Sequence, residues 1–103
     1  MYAVIFTATL KHLDEEYSAT VAKMRDLAFN HYGCLALESV CDGSKEITIS
    51  NWPSLEHIGA WHADPMHRAA QARGKAKWYT EFSVQVTYVE RDYRMNLAID
   101  DTN

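Results

Sequence analysis

The sequence has little of what cofactor, nucleic-acid and membrane chemistry require. Its four glycines, Gly33, Gly43, Gly59 and Gly74, form no phosphate-cradling loop of the GxGxxG or GxxxxGK[ST] kind, so no nucleotide cofactor is implied. Ten Lys and Arg stand against fourteen Asp and Glu, a net charge of -4, with no basic block. That excludes nucleic acid as a partner, because phosphate binding needs clustered cations. No apolar run approaches the ~20 residues that cross a bilayer. The opening MYAVIFTATL lacks the basic start and small-residue cleavage site of a signal peptide, so the chain is expected to be cytoplasmic, with no membrane partner. There is neither a GxSxG elbow nor a catalytic-cysteine signature, which removes nucleophilic catalysis from consideration. The only cysteines, Cys34 and Cys41, sit on one predicted strand. At ~3.3 Å per residue they stand ~23 Å apart, too far to pair, and they read as small apolar residues.

What is present is one domain's worth of chain: 103 residues, 48% apolar and 12% aromatic, a core that a second copy would help complete. A homodimer is the expected assembly. Tyr2, Val4, Phe6, Ala8 and Leu10 alternate with Ala3, Ile5, Thr7 and Thr9 and predict a strand. Asp14 caps a predicted helix to about Tyr32, with Tyr17, Val21, Met24, Leu27, Ala28 and His31 on its apolar stripe and Gly33 ending it. His31 reads as a packed or dipole-facing histidine. Residues 34–41 and 45–51 form a predicted hairpin through Asp42-Gly43, in which Glu38 reads as a solvated or paired carboxylate.

After Trp52-Pro53, Ser54 caps a short helix that places Leu55, Ile58 and His62 inward and Trp61 on the flank. Asp64 caps and Pro65 begins another, with Met66, Ala69, Ala72 and the stem of Arg73 inward and His67 and Gln71 on the other edge. Gly74 closes or kinks it. Residues 81–90 are the last strand, with Phe82, Val84, Val86 and Tyr88 on one face. Tyr93, Met95, Leu97 and Ile99 alternate in a polar tail suited to pairing with a neighbouring chain. The order β-α-β-β-α-α-β is an α+β, ferredoxin-like arrangement. It gives a four-stranded antiparallel sheet with helices on one face, a domain over residues 1–92 and a tail or dimer arm over 93–103.

The stretch from Ile49 to Tyr79 holds all three tryptophans and three of the five histidines. His57, His62 and His67 recur every five residues, which on a helix scatters them by ~140° per step, so no metal site is expected. Trp52, Trp61, His62, His67, Trp78 and Tyr79 instead suggest a wall of rings with a few imidazoles, suited to a flat, apolar ligand. The bland alternative is that the tryptophans are core.

Ile49-Ser50-Asn51-Trp52, Trp61-His62, Asp64-Pro65, His67, Ala69-Ala70-Gln71, Gly74, Lys77-Trp78-Tyr79 and the closing strand resemble the antibiotic biosynthesis monooxygenase family. The resemblance covers about residues 2–90 and includes the hairpin glycine. It implies a dimeric α+β barrel, and oxygenation by O2 of an aromatic, quinol-like or polyketide-type molecule without metal, flavin or other cofactor. On it, His62 and His67 are the candidate bases or donors, and Trp52, Trp61, Trp78, Tyr79 and Gln71 the substrate contacts. A haem-degrading branch of similar proteins carries an axial histidine where this chain has Gln71, and an asparagine on the first strand, where this chain has none. Another alternative is a dimer that binds a small molecule, or serves in stress, without catalysis, since fold does not fix function.

Overall fold

The strand alternation at the start of the chain becomes the centre of the sheet. In the computed structural model, which describes residues 1–98, β1 (Tyr2–Leu10) pairs antiparallel on one side with β3 (Lys45–Trp52) and on the other with β4 (Tyr79–Tyr88). β2 (Ala36–Asp42) pairs with β3, giving the order β2-β3-β1-β4. β2 begins two residues later than the sequence suggests, because Cys34 is spent on closing the preceding helix, its N–H donating to the Ala28 carbonyl. The hairpin loop is Gly43-Ser44, with Asp42 already paired to Lys45. Gly43 has φ 63°, the left-handed value that a tight two-residue turn demands at its first position.

Three helices lie on one face. α1 (Glu15–His31) is capped by the Asp14 carboxylate, which accepts from the Tyr17 N–H at 2.8 Å. α2 (Leu55–Ala63) is capped by Ser54, and α3 (Pro65–Arg73) by Asp64 with Pro65 at its first position, all as the sequence predicts. Beyond α3 the chain does not stop at Gly74. It runs on in right-handed helical geometry through a π-helical turn, Gly74–Trp78, closed by the Tyr79 N–H on the Gly74 carbonyl.

The core between sheet and helices is built on Val4, Ala28, Cys34, Trp52 and Ile58. Register assigns the faces. Val4, Phe6 and Ala8 sit opposite Ser50, Thr48 and Glu46 on the helix side, and opposite Val86, Val84 and Phe82 on the other flank. Ile5, Ile47, Ile49 and Val40 share the opposite face, on which no helix lies among the described residues. Glu38, opposite Ile49, is exposed on that open face, as a solvated carboxylate should be. Residues 89–98 run on without strand pairing among the described residues, with Tyr93, Met95 and Leu97 exposed. Ile99, the last member of that alternation, lies outside the described residues.

Two helix faces differ from the predicted ones. In α2, Leu55 is exposed, and Ile58, Trp61 and His62 turn inward. In α3 the inward side is His67, Ala70 and Gln71, while Met66, Ala69, Ala72 and Arg73 face away. The helix is rotated because its sheet-facing side borders a cavity that takes polar groups, so apolarity alone marks the wrong side. His31 is exposed in the last turn of α1, which fits the dipole-facing one of its two predicted roles and not the packed one.

Candidate active site

A cavity of about 190 Å³ lies between the sheet and the helices. That is somewhat more than the ~150 Å³ of an engineered apolar cavity that holds benzene. Its sheet wall is Val4, Phe6, Phe82 and Val84, and α1 contributes Tyr17, Val21 and Met24, so Val21 is open to the cavity and not packed. Phe6 stacks on Phe82 at 5.7 Å and lies 5.6 Å from Tyr79. Tyr79 reaches this position because the β1–β4 register slips at Thr9/Leu10, which sets Tyr79 opposite Leu10 although Thr9 pairs with Glu81, two residues further along the chain. Such a bulge re-aims a side chain.

At one end α2 and α3 bring an imidazole cluster together. The Trp61 ring lies 5.6 Å from His62, nearly parallel, and 4.4 Å from His67, edge-on; the two imidazoles are 4.9 Å apart. Asp64, in the corner between the helices, fixes this arrangement: one carboxylate oxygen accepts from the Met66 N–H and the other from the Tyr32 hydroxyl at 2.6 Å. Gln71, one turn beyond His67, completes this end. Burial lowers the proton affinity of His62. His67 is brought down to about 4 by burial and by the charge of His62, against an opposing pull from Asp64. Both rings are therefore neutral near pH 7.

The sequence-predicted residues are thus mostly gathered on one cavity. His62, His67, Trp61, Gln71, Trp78 and Tyr79 all border it. Trp52 does not: it is fully buried behind Trp61, 4.9 Å away ring to ring, with its indole N–H on the Ser50 hydroxyl. Its inward position on β3 makes it the floor of the core, so it supports Trp61 without facing the cavity. Among the described residues, three buried side-chain polar atoms have no hydrogen-bond partner, the indole nitrogens of Trp61 and Trp78 and Nδ1 of His67, and all three belong to residues that border the cavity. Also among the described residues, no three His, Cys, Asp or Glu side chains come together as a metal-binding group.

Sequence reasoning missed the opposite end. Glu46 of β3 is 6% exposed and borders the cavity, taking the Tyr17 hydroxyl on one oxygen and the Thr48 hydroxyl, at 3.0 Å, on the other. Tyr17 is held well above the usual phenol range by burial, by this hydrogen bond and by the Glu46 charge. Tyr79 is pushed up to about 12, by burial and then by Glu46. The alternation of Glu46, Thr48 and Ser50 with Ile47 and Ile49 marks two faces in the sequence, but only the register with β1 puts the polar set on the helix-covered side.

No protein-family model matches the chain. The uncharacterised protein YqjZ of Bacillus subtilis (strain 168) is 38% identical over 92 residues, 87% of this chain and 80% of YqjZ. Among solved structures, SnoaB, a cofactor-independent oxygenase from Streptomyces nogalater, superposes with a TM-score of 0.75 at 10% identity, over 88% of this chain and 94% of its own. Rv0793 of Mycobacterium tuberculosis does so at 0.73 and 14% identity, over 90% and 98%. A protein described as an antibiotic biosynthesis monooxygenase reaches 0.66 at 18% identity, over 88% of this chain and 100% of its own. The chain therefore belongs to the family that contains YqjZ, and its fold is that of the antibiotic biosynthesis monooxygenases.

Proposed function

We propose that this chain is a cytoplasmic, homodimeric, cofactor-independent monooxygenase that acts with O2 on an aromatic, quinol-like molecule. The observation that carries this reading is the ring-walled cavity with two neutral imidazoles at one end, in a fold shared with a protein described as a cofactor-independent oxygenase. The walls suit a flat ligand held by stacking. The electrons for O2 would come from the substrate: a ring CH2 flanked by electron-rich rings loses a proton, and its carbanion reduces O2. One oxygen atom stays as C=O while the other leaves as water with the two hydrogens. The protein contributes orientation, exclusion of water and hydrogen bonds to the developing oxyanion. His62 and His67 fill the last role better than that of base, since a ring with a pKa of about 4 is a weak proton acceptor at neutral pH. The tail from residue 93 is proposed as an arm that lies on the partner.

That same weak basicity favours a second reading, a dimer that binds an aromatic ligand without transforming it. Oxygen uptake by metal-free protein with anthrones, quinols and dihydroxynaphthalenes separates the two. Uptake above the spontaneous rate, reduced at least tenfold in a His62→Gln, His67→Gln variant of unchanged near-UV circular dichroism, is the expected result. Uptake at the spontaneous rate, with tight binding of the same compounds, would leave the binding reading in its place.

A further inference from the structure

The polar end of the cavity has a directionality that its hydrogen atoms impose. Thr48 has one hydroxyl hydrogen, and it goes to Glu46. The Ser39 hydroxyl lies 2.7 Å from the Thr48 oxygen, so Ser39 must be the donor in that pair. Tyr17 donates to the other oxygen of Glu46, and its raised proton affinity keeps that hydrogen in place. Ser39, Thr48 and Tyr17 therefore all spend their hydrogens toward one carboxylate, and what this end offers a ligand is lone pairs.

Ser39, Thr48, Glu46 and Tyr17 all border the cavity, as do the rings of Phe82, Trp78 and Tyr79; the Arg25 guanidinium, which also borders it, donates to the Leu37 carbonyl. We infer that Glu46 is a specificity-determining residue that selects ring compounds bearing a hydroxyl, whose O–H it accepts. A ligand lacking that donor would leave a buried carboxylate without a share of its hydrogen bonds, an asymmetry far larger than the gain from a well-made bond. A purely structural role, tying α1 to β3 through Tyr17, would leave ligand preference untouched. This inference rests on the cavity being an aromatic-ligand site and not on any turnover.

The test is equilibrium dialysis of 1-naphthol, 1-methoxynaphthalene and naphthalene against the full chain and its Glu46→Gln variant. Naphthol is expected to bind about tenfold more tightly than the other two to the unaltered protein, a preference that falls within about threefold in the variant. Equal binding of all three to the unaltered protein, or a preference that survives Glu46→Gln, overturns the inference while the aromatic site stands. If none of the three binds, the site reading and the inference fall together. Should the Gln variant not fold, Tyr17→Phe frees a lone pair on Glu46 and is expected to hold or raise the preference; a fall would count against the inference.

Discussion

His67 shows how one buried ring couples the site to stability. An unfolded histidine takes up a proton near pH 6.5, while in the folded chain His67 waits until about 4. Between those values the unfolded state binds more protons, so stability rises with pH through that window. It is fully present above about 6.5 and lost as pH falls toward 4. The full shift corresponds to about 3 kcal/mol, and about 2 kcal/mol after solvent screening is allowed for. Asp14, Glu16 and Asp64, whose carboxyls are held below their ordinary range, act in the same sense but lower, losing their contributions only as pH falls below about 4. Urea midpoints measured from pH 7 to pH 4 should fall in the unaltered protein and fall markedly less in His67→Gln. Equal slopes would remove His67 as the cause. Both histidines were legible in the sequence because imidazoles among tryptophans are unusual. Glu46 was not, since one carboxylate in a strand looks like any solvated charge until register assigns its face.

Elements whose inward side is apolar were readable, and those that turn polar side chains toward the cavity were not. β1 and the caps at Asp14, Ser54 and Asp64 follow from alternation and from single side chains that accept a backbone N–H. In α3 the inward residues are His67, Ala70 and Gln71, and in β3 they are Glu46, Thr48 and Ser50. Both patterns carry polar groups inward because a cavity, not a filled core, lies there. The π-helical turn was equally invisible, as nothing in Gly-Lys-Ala-Lys-Trp distinguishes it from an α-helical end. Its glycine has a clear reason: a Cβ at Gly74 would collide with the Tyr79 ring. Gly74→Ala should therefore cost about 1–3 kcal/mol in urea unfolding and displace Tyr79 from the cavity wall. A loss below the error of the measurement would mean the ring moves freely. Asp64→Ala removes both the α3 cap and the anchor for Tyr32, and a cost of about 1–2 kcal/mol is expected in the same assay.

At the scale of the molecule, the helices and the open face of the sheet raise opposite demands. The helix side is closed over by Trp52, Ile58 and Ala28, whereas Val40, Ile47 and Ile49 stand exposed in a row across β2 and β3 and continue into Ile5 on β1. An apolar band of this kind, spanning three strands and flanked by Thr7, Ser83 and Gln85, is costly to leave in water. A second copy of the same face would cover it by the two-fold, self-complementary packing that homodimers use. The cavity lies on the other side of the sheet, so pairing there would stiffen its floor without entering it. Ile49→Lys places a charge in the middle of the band and points away from every cavity residue. Sedimentation equilibrium should then report a single chain where the unaltered protein reports two, with far-UV circular dichroism unchanged. A variant that still sediments as two chains would show that the dimer is built on another surface, and the exposed residues Tyr93, Met95 and Leu97 beyond β4 would be the next place to truncate.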